Sequence, residues 1–448
     1  MPDKKKQSLL IDLTMSDATA QQTTPQQQTQ PAPAQATPQQ DGQQDAQQPQ
    51  APPQTPEEVV VDPKCYRSSS HEAFTALIGD KYSYQEYTVK TEDGYTLTHL
   101  RLQTKLDTPD QKFDTQRYPI VLLHSFAGDS VVSFLSNSVP LRIPLILADH
   151  NYDVWLVNNR GARFCREHET LDPREAEFWN FTLDQQAEFD IPSSLKLVFD
   201  QTQKKPVVYG DGHGATLIIA ALSDAKIRPK VLPYVHSVLG YSPEVFFNHP
   251  NRDFEDLFRR LILRILRRSK IHDDLGCDDW VTETANLEKN PTQEEIDENY
   301  NFVKDFNLHK DSYNHKRIYF YVDSLVMSGT SRVAYEHLYQ LMSAEDKKQN
   351  IFRKFDHGSE EKNTEVYGTP KPPAYDLSLL QEKFTFWVGL ADPFAYHEDM
   401  ADLKKKAPNA QIETIYIENW GHDSGFAGPR GLLHDQLVEK IQQHLATE

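Results

Sequence analysis

The 448-residue sequence contains only three cysteines, Cys65, Cys165 and Cys277. Their number is odd and their spacing is wide, so they indicate neither a disulfide framework nor the paired ligands of a metal site. The sequence therefore predicts no metal and no other cofactor. So few cysteines are typical of a reducing, intracellular setting.

A long apolar run is also missing. No stretch is long and apolar enough to cross a bilayer. The apolar cluster at residues 9–11 is too short for the hydrophobic region of a secretory signal. We therefore expect an intracellular protein with no signal peptide and no transmembrane segment, in the cytoplasm or in a cytoskeletal or organellar assembly.

Positive charge is in deficit, with 47 Lys and Arg residues against 66 Asp and Glu residues and a formal net charge of −19. This balance argues against a nucleic acid partner. Residues 253–270 are a local exception, because they predict a helix with one apolar face and a basic face that includes Arg260, Arg264 and Arg268. The pattern favours a helix that covers a pocket and leaves its arginines in solvent. The alternative is peripheral docking on an anionic membrane or on an acidic partner.

Core-forming residues are nearly absent from the N-terminal part of the chain. Residues 18–56 consist mainly of glutamine, proline, threonine and alanine. Such a segment buries too little apolar surface to offset the entropy of ordering it. We predict that residues 1–62 form a disordered tail and that folded sequence begins near Pro63.

The rest of the chain alternates strand-like and helix-like segments. Residues 84–102 form two alternating runs around Asp93-Gly94, which is a strong hairpin signal. Residues 118–124 and 152–157 are continuous apolar strands of the kind that is buried on both faces of a sheet. This alternation predicts a parallel sheet with helices on both faces, in which ligands bind beyond the carboxyl ends of the strands.

Residues 206–220 run from an apolar strand through Gly210, Gly212 and Gly214 into a helix. In the turn that carries the nucleophile of α/β-hydrolases, the first and third of these positions must be small so that strand and helix can cross. The middle position carries the nucleophile, and here it is Gly212, which has no attacking atom. Glycine also adopts the strained backbone of such a turn with little penalty.

Two other interpretations of residues 206–220 compete with a nucleophile turn centred on Gly212. A shift of the frame by one residue would make Asp211 the nucleophile, but it would place Tyr209 and His213 at the positions that must be small, so we reject it. Phosphate-cradling loops have similar glycine spacing. The assignment therefore depends on the rest of the chain.

Several further motifs follow one another in a fixed order. Together they resemble the acid lipases, the gastric and lysosomal branch of the α/β-hydrolases, from about residue 81 to the C-terminus. They are Asp93-Gly94-Tyr95, His124, residues 152–156, Asn158-Asn159-Arg160-Gly161, Phe178-Trp179-Asn180-Phe181, Asp190-Ile191-Pro192, Ser328-Gly329-Thr330-Ser331, Phe355-Asp356-His357-Gly358 and Pro372-Pro373-Ala374-Tyr375-Asp376-Leu377.

The resemblance implies an α/β-hydrolase fold with a mainly parallel, eight-stranded sheet and helices on both faces. It also implies a helical cap inserted into the core. The sequence places the first part of the core at residues 63–242, the cap at residues 243–380 and the last part of the core at residues 381–448.

The resemblance further implies the positions of a catalytic acid and base. The family's aspartate follows a Trp-x-Gly strand, and residues 386–392 match that pattern at Asp392. Its histidine precedes the last helix, and residues 419–423 match there at His422. Neither residue has hydrolytic work to do without a nucleophile.

The oxyanion hole implied by the family uses the backbone N–H groups of Phe126 and His213. Backbone donors survive substitution, so the hole can persist. This chain departs from the family pattern at two places near the hole. It has His124-Ser125 where the family has His-Gly, and it has Asp211-Gly212-His213 where the family has His-Ser-Gln.

Three functions are compatible with this pattern. The first is a lipase-like protein that has lost ester hydrolysis and serves as a component that binds a lipid or acyl ligand, or protein partners, within an assembly. The second is an active lipase or carboxylic ester hydrolase with a non-standard mechanism, such as water activated by His422. The third is a structural subunit whose pocket is filled by its own side chains. The missing nucleophile favours the first or the third.

Overall fold

The computed structural model describes residues 78–106, 113–135, 142–173, 175–247, 328–342, 350–392, 394–422, 424 and 432–446. All of them belong to one compact unit, Val59–Glu448. The predicted tail at residues 1–62 and the predicted basic helix with Arg260, Arg264 and Arg268 lie outside the described residues.

The described strands form one sheet. Its order is β1-β2-β4-β3-β6-β7-β8-β9, with β5 beside β2. β2 pairs antiparallel with β1, β4 and β5, and every pair from β4 to β9 is parallel. The strands are β1 (Tyr82–Lys90), β2 (Tyr95–Thr104), β3 (Tyr118–Leu123), β4 (Tyr152–Val157), β5 (Glu167–His168), β6 (Val207–Asp211), β7 (Ser237–Tyr241), β8 (Lys383–Gly389) and β9 (Gln411–Ile417).

This sheet confirms the predicted mainly parallel architecture. The eight strands of the main path match the predicted number, and the two-residue β5 is an addition. The predicted hairpin is also confirmed, because the pairing of Lys90 with Thr96 leaves Asp93-Gly94 in the turn. Gly94 has φ 99°, and a Cβ at this position would lie 2.7 Å from Nε2 of His168, so the turn requires glycine there.

Helices cover both faces of the sheet. The described helices are α1 (Ser130–Phe134), α2 (Ile143–Asp149), α3 (Leu183–Gln185), α4 (Ile191–Thr202), α5 (His213–Leu222), α6 (Arg228–Val231), α7 (Arg332–Leu341), α8 (Glu360–Tyr367), α9 (His397–Lys406) and α10 (Leu432–Leu445). A π-helical turn, Gln186–Asp190, joins α3 to α4. Short 3-10 helices occur at Ala176–Trp179, Leu232–Tyr234 and Leu377–Leu379.

The two faces are built by alternation along each central strand. In β3, Val121 and Leu123 point into a core shared with α4, α5 and α9. Ile120 and Leu122 point into a second core shared with α2 and α10. Because both sets are fully buried, β3 is apolar throughout, as the sequence predicted.

The chain leaves the sheet after β7 and returns to it at β8. Asp184 of α3, which lies earlier in the chain, holds the described residues between β7 and β8 to the core. Its carboxylate accepts hydrogen bonds from the hydroxyl of Tyr375 (2.6 Å), the backbone N–H of Phe355 (2.9 Å) and the hydroxyl of Tyr367 (3.2 Å). The boundaries 63–242, 243–380 and 381–448 stay predictions.

Three of the sequence motifs meet at one buried ion cluster. The guanidinium of Arg160 is 1% exposed and contacts Asp93 in the hairpin turn at 2.6 Å and Asp190 before α4 at 2.7 Å. Its Cζ atom lies 4.1 Å from the centre of the Tyr95 ring. Two carboxylates and an aromatic face compensate a buried charge that would otherwise be unfavourable. The motifs therefore tie the hairpin to the loop that follows β4.

Candidate functional site

The sequence-predicted residues converge at the carboxyl ends of the parallel strands. Gly212 follows β6 directly and stands at the N-terminus of α5. Asp392 lies three residues after the end of β8 (Gly389), and His422 lies five residues after the end of β9 (Ile417). The order of the parallel strands thus brings together loops that are far apart in sequence.

The turn at Gly212 has the geometry that its three glycines require. A Cβ on Gly210 would lie 2.2 Å from the backbone N of Ala215, and a Cβ on Gly214 would lie 2.3 Å from the carbonyl O of Leu123. No real side chain tolerates such distances to backbone atoms, so these two positions must be glycine for β6 and α5 to cross.

Gly212 itself is different from its two neighbours. Its φ of 48° and ψ of −109° are strained for any residue with a side chain. A Cβ there would nevertheless meet only ordinary contacts, 3.4 Å from Nε2 of His422 and 3.6 Å from Oε1 of Glu244. The turn therefore has room for a side chain that points at the His422 imidazole, and the sequence does not supply one.

The structure brings Asp392 and His422 together. Nδ1 of His422 lies 3.1 Å from Oδ2 and 3.2 Å from Oδ1 of Asp392. The Asp392 carboxylate is fixed in turn by the backbone N–H groups of Phe394 (2.7 Å) and Ala395 (3.0 Å). The ring of Phe394 lies against the imidazole, with centroids 4.6 Å apart.

Glu244 is a site residue that the sequence analysis missed. Its Oε1 atom lies 3.0 Å from Nε2 of His422, and its side chain is 5% exposed. The backbone N–H of Glu244 donates to the hydroxyl of Thr216 on α5 at 2.8 Å, which anchors the residue beside the turn. The signal that could have found it is an acidic residue shortly after β7, the strand next to β6.

The two carboxylates decide the charge of the imidazole. Burial by itself would lower the pKa of His422, but the charges and hydrogen bonds of Asp392 and Glu244 outweigh it and raise this pKa well above its ordinary value. Both ring nitrogens of His422 face a carboxylate, so the arrangement favours an imidazolium that donates Nδ1–H to Asp392 and Nε2–H to Glu244. An imidazolium has no lone pair with which to accept a proton from an attacking group.

The predicted oxyanion residues are also neighbours. The rings of Phe126 and His213 make an edge-on contact with centroids 5.1 Å apart. The Nε2–H group of His213 donates to Oε1 of Gln186 (2.9 Å), and burial lowers the pKa of His213 to about 3, so its ring is neutral. Within the described part of the chain, no acceptor is recorded for the backbone N–H of either residue.

The loop that carries Phe126 is held by the chain segment that precedes α7. The carbonyl of Ala127, which has φ 54°, accepts from the backbone N–H groups of Ser328 (2.6 Å) and Gly329 (3.2 Å). The hydroxyl of Ser328 accepts from the backbone N–H of Arg163 at 2.9 Å. These contacts explain why a Ser-Gly motif belongs at the start of this segment.

Helix α7 forms one wall of a small cavity that Glu244 also lines. The described residues leave a cavity of about 10 Å³ there, which is room for about one water molecule. Two buried atoms on its wall, Oε2 of Glu244 and Nδ1 of His337, make no hydrogen bond. The cavity is lined by Phe126, Leu183, His213, Thr216, Glu244, Ala334, His337, Leu338 and Leu341.

Two kinds of feature are absent from the described residues. None of their helices has the length and apolar character needed to cross a membrane. No group of histidine, cysteine and acidic side chains among them is arranged to hold a metal ion.

Comparison with known proteins points to lipases. Residues 76–138 match the family described as the partial alpha/beta-hydrolase lipase region. Lipase member N of Mus musculus is 26% identical over 81% of this chain and 86% of its own length. Lipase member K of Homo sapiens is 25% identical over 80% and 87%. Gastric triacylglycerol lipase of Rattus norvegicus is 26% identical over 73% and 80%.

Solved structures with a similar chain course include two esterases. The Pyrococcus furiosus esterase Pf2001 has a TM-score of 0.43 and 12% identity, over 83% of this chain and 93% of its own. A thermophilic esterase from Thermogutta terrifontis has a TM-score of 0.43 and 12% identity, over 81% and 98%. The sheet, the glycine turn and the lipase relatives together support the resemblance to the acid lipases and identify the chain as a lipase-like protein with the α/β-hydrolase fold.

Proposed function

We propose that this protein does not hydrolyse esters and serves as a lipid-binding or scaffolding component of an assembly. The observation that carries the proposal is the 3.0 Å contact between Nε2 of His422 and Glu244. In a serine hydrolase, that nitrogen must be free to take the proton of the nucleophile.

Two independent defects support this function. Gly212 offers no atom that could attack an ester carbonyl. His422 is already protonated, because it lies between Asp392 and Glu244, so it cannot activate an attacking group either. Restoring one part alone would leave the other defect in place.

Among the described residues, the cavity that Glu244 lines is about 10 Å³, which holds about one water molecule and not an acyl chain. This observation favours the scaffolding role over the binding of a long acyl chain in that cavity. The contacts of His422 with Asp392 and Glu244 link the loops after β7, β8 and β9.

A second candidate is a hydrolase in which Glu244 acts as the base. Its Oε2 atom is buried, makes no hydrogen bond and lines the one-water cavity. A water molecule there could give its proton to this carboxylate and attack an ester without a covalent intermediate. The relatives with lipase names favour retained hydrolysis.

A hydrolysis assay on short-chain and long-chain esters separates the two candidates. The proposal predicts that the wild-type chain, Glu244→Gln and His422→Ala are equally silent, at the background rate. Turnover by the wild-type chain that is lost in Glu244→Gln would establish the second candidate. An active serine lipase, assayed in parallel, verifies that each substrate is presented in a usable form.

A further inference from the structure

The small cavity between helix α7 and the loop after β7 has polar walls. Glu244 of that loop and His337 of α7 both line it, and its volume is about 10 Å³. A single water molecule needs about this much space. Both side chains are almost completely buried, with 4% of Glu244 and 1% of His337 exposed. Bulk water therefore cannot satisfy the polar atoms of these two residues.

Each of these side chains has one atom that bonds elsewhere and one that does not. Oε1 of Glu244 lies 3.0 Å from Nε2 of His422, whereas Oε2 of Glu244 makes no hydrogen bond in the described structure. Nε2 of His337 lies 3.0 Å from the carbonyl of Arg353, whereas Nδ1 of His337 makes no hydrogen bond there either. Buried polar atoms without a partner are rare in folded proteins, so both atoms call for one.

Both unpartnered atoms are acceptors. A carboxylate oxygen only accepts hydrogen bonds. Because the carbonyl of Arg353 can only accept, Nε2 of His337 carries the ring proton, and Nδ1 of the neutral ring keeps its lone pair. Oδ1 of Asp184 lies 3.9 Å from this Nδ1 atom, which is too far for a hydrogen bond. An occupant that satisfies both acceptors must have at least two hydrogens to donate.

Two molecules of this size have such hydrogens, water and the ammonium ion. The carboxylates of Asp392 and Glu244 contact one imidazolium, so the group keeps one negative charge that ammonium would compensate. Phe126 and His213 line the same cavity, and among the described residues no acceptor is found for their backbone N–H groups. Water can accept from such donors, but ammonium has no lone pair. These donors therefore favour water.

We propose that the cavity binds one ordered water molecule that donates to Oε2 of Glu244 and to Nδ1 of His337. The bridge joins α7 to the loop after β7, two parts of the chain that are distant in sequence. It makes His337 a positioning residue for Glu244, since the water holds the carboxylate whose other oxygen contacts His422. The water is bound whether or not the protein hydrolyses esters.

A high-resolution crystal structure of the full chain tests the site directly. We expect an isolated density peak at about 2.5–3.2 Å from Oε2 of Glu244 and from Nδ1 of His337. An empty cavity would overturn the proposal, and so would a peak that contacts only one of the two atoms.

Denaturant unfolding measures whether the two residues are coupled. His337→Phe should raise the unfolding equilibrium constant about tenfold more in the wild-type chain than in Glu244→Leu, equivalent to ~1.4 kcal/mol, because Glu244→Leu has already removed one end of the bridge. His337→Gln is the matched control, since its amide keeps a donor for the carbonyl of Arg353 and an acceptor for the water, and it should lose much less stability than His337→Phe. Equal losses from His337→Phe in both backgrounds would contradict a bridge.

The identity of the salt separates water from ammonium. At equal concentration, sodium chloride and ammonium chloride should give the wild-type chain the same denaturant midpoint, because water occupies the cavity in both. A midpoint that rises only in ammonium chloride would show that a cation is the occupant, and it would overturn the assignment of water. The crystal structure and the salt comparison use the wild-type chain, so they decide the matter even if a variant does not fold.

Discussion

Nε2 of His422 lies 3.0 Å from Oε1 of Glu244. Gly212, in the turn after β6, places no side chain beside these two atoms. In the acid lipases that this chain resembles, the matching nitrogen faces the nucleophile. A carboxylate lies in that place, and it favours the protonated form of the imidazole. The contact between His422 and Glu244 therefore determines what the site can do.

The first prediction concerns the proton on His422. The raised pKa of His422 means that folding favours the protonated ring. The protonated ring therefore stabilises the fold fully below the unfolded pKa of about 6.5, and this stabilisation is lost as pH rises through the folded pKa. We expect the wild-type chain to lose stability relative to His422→Asn over that range. Denaturant unfolding at a series of pH values measures the difference, and a constant difference would contradict the ion-pair assignment.

Nuclear magnetic resonance gives a direct control on the same point. The folded pKa of His422 should fall in Glu244→Gln, because one of the two carboxylates that raise it is removed while the shape of the side chain is kept. An unchanged titration of the imidazole would show that Glu244 does not set its charge.

The second prediction concerns the backbone at Gly212. Gly212→Ala should destabilise the fold by about 1–3 kcal/mol, because alanine is strained at φ 48° although its Cβ meets no close contact. Gly358→Ala is the matched control, since φ there is 82° and the site is open, and its loss should be similar. Gly214→Ala should be much worse because its Cβ would collide with backbone. Equal losses for Gly214→Ala and Gly212→Ala, measured by unfolding, would contradict this description of the turn.

The third prediction concerns the anchor of the chain that returns to β8. Tyr375→Phe should destabilise the protein by about 1.5–3 kcal/mol, because it removes a 2.6 Å hydrogen bond to the buried carboxylate of Asp184. The hydroxyl of Tyr367 lies 3.2 Å from the same group but donates to the carbonyl of Phe355 at 2.8 Å, so it contributes less to holding Asp184. Denaturant midpoints compare Tyr375→Phe with the wild-type chain, and an unchanged midpoint would show that the Tyr375–Asp184 bond does not anchor the chain.

Much of the fold could be predicted from local patterns. The dipeptide Asp93-Gly94 marks a hairpin because few residues suit its turn, and the apolar run of β3 indicates burial on both faces. Asp392 and His422 could be located because the resemblance implies them, Asp392 after a Trp-x-Gly strand and His422 before the last helix. Their meeting could be expected because parallel strands end at one edge of the sheet.

The role of Glu244 could not be predicted in the same way. Its partner is set by three loops that follow β7, β8 and β9, and no spacing in the sequence records that they meet. The place of β9 at the end of the described sheet is equally invisible, because strand order is a property of the whole sheet. The tail at residues 1–62 and the basic helix with Arg260, Arg264 and Arg268 stay predictions.

The most direct test of our account is ester hydrolysis by a pair of variants, Gly212→Ser and Gly212→Ser/Glu244→Ala. Serine alone should stay at the background rate, because its hydroxyl meets an imidazolium held by Glu244. The double variant frees Nε2 to act as a base and should gain on the order of 10²-fold over the single one. Equal activity in the two variants, or turnover by the unmodified chain, would contradict the claim that Glu244 and Gly212 together silence the site.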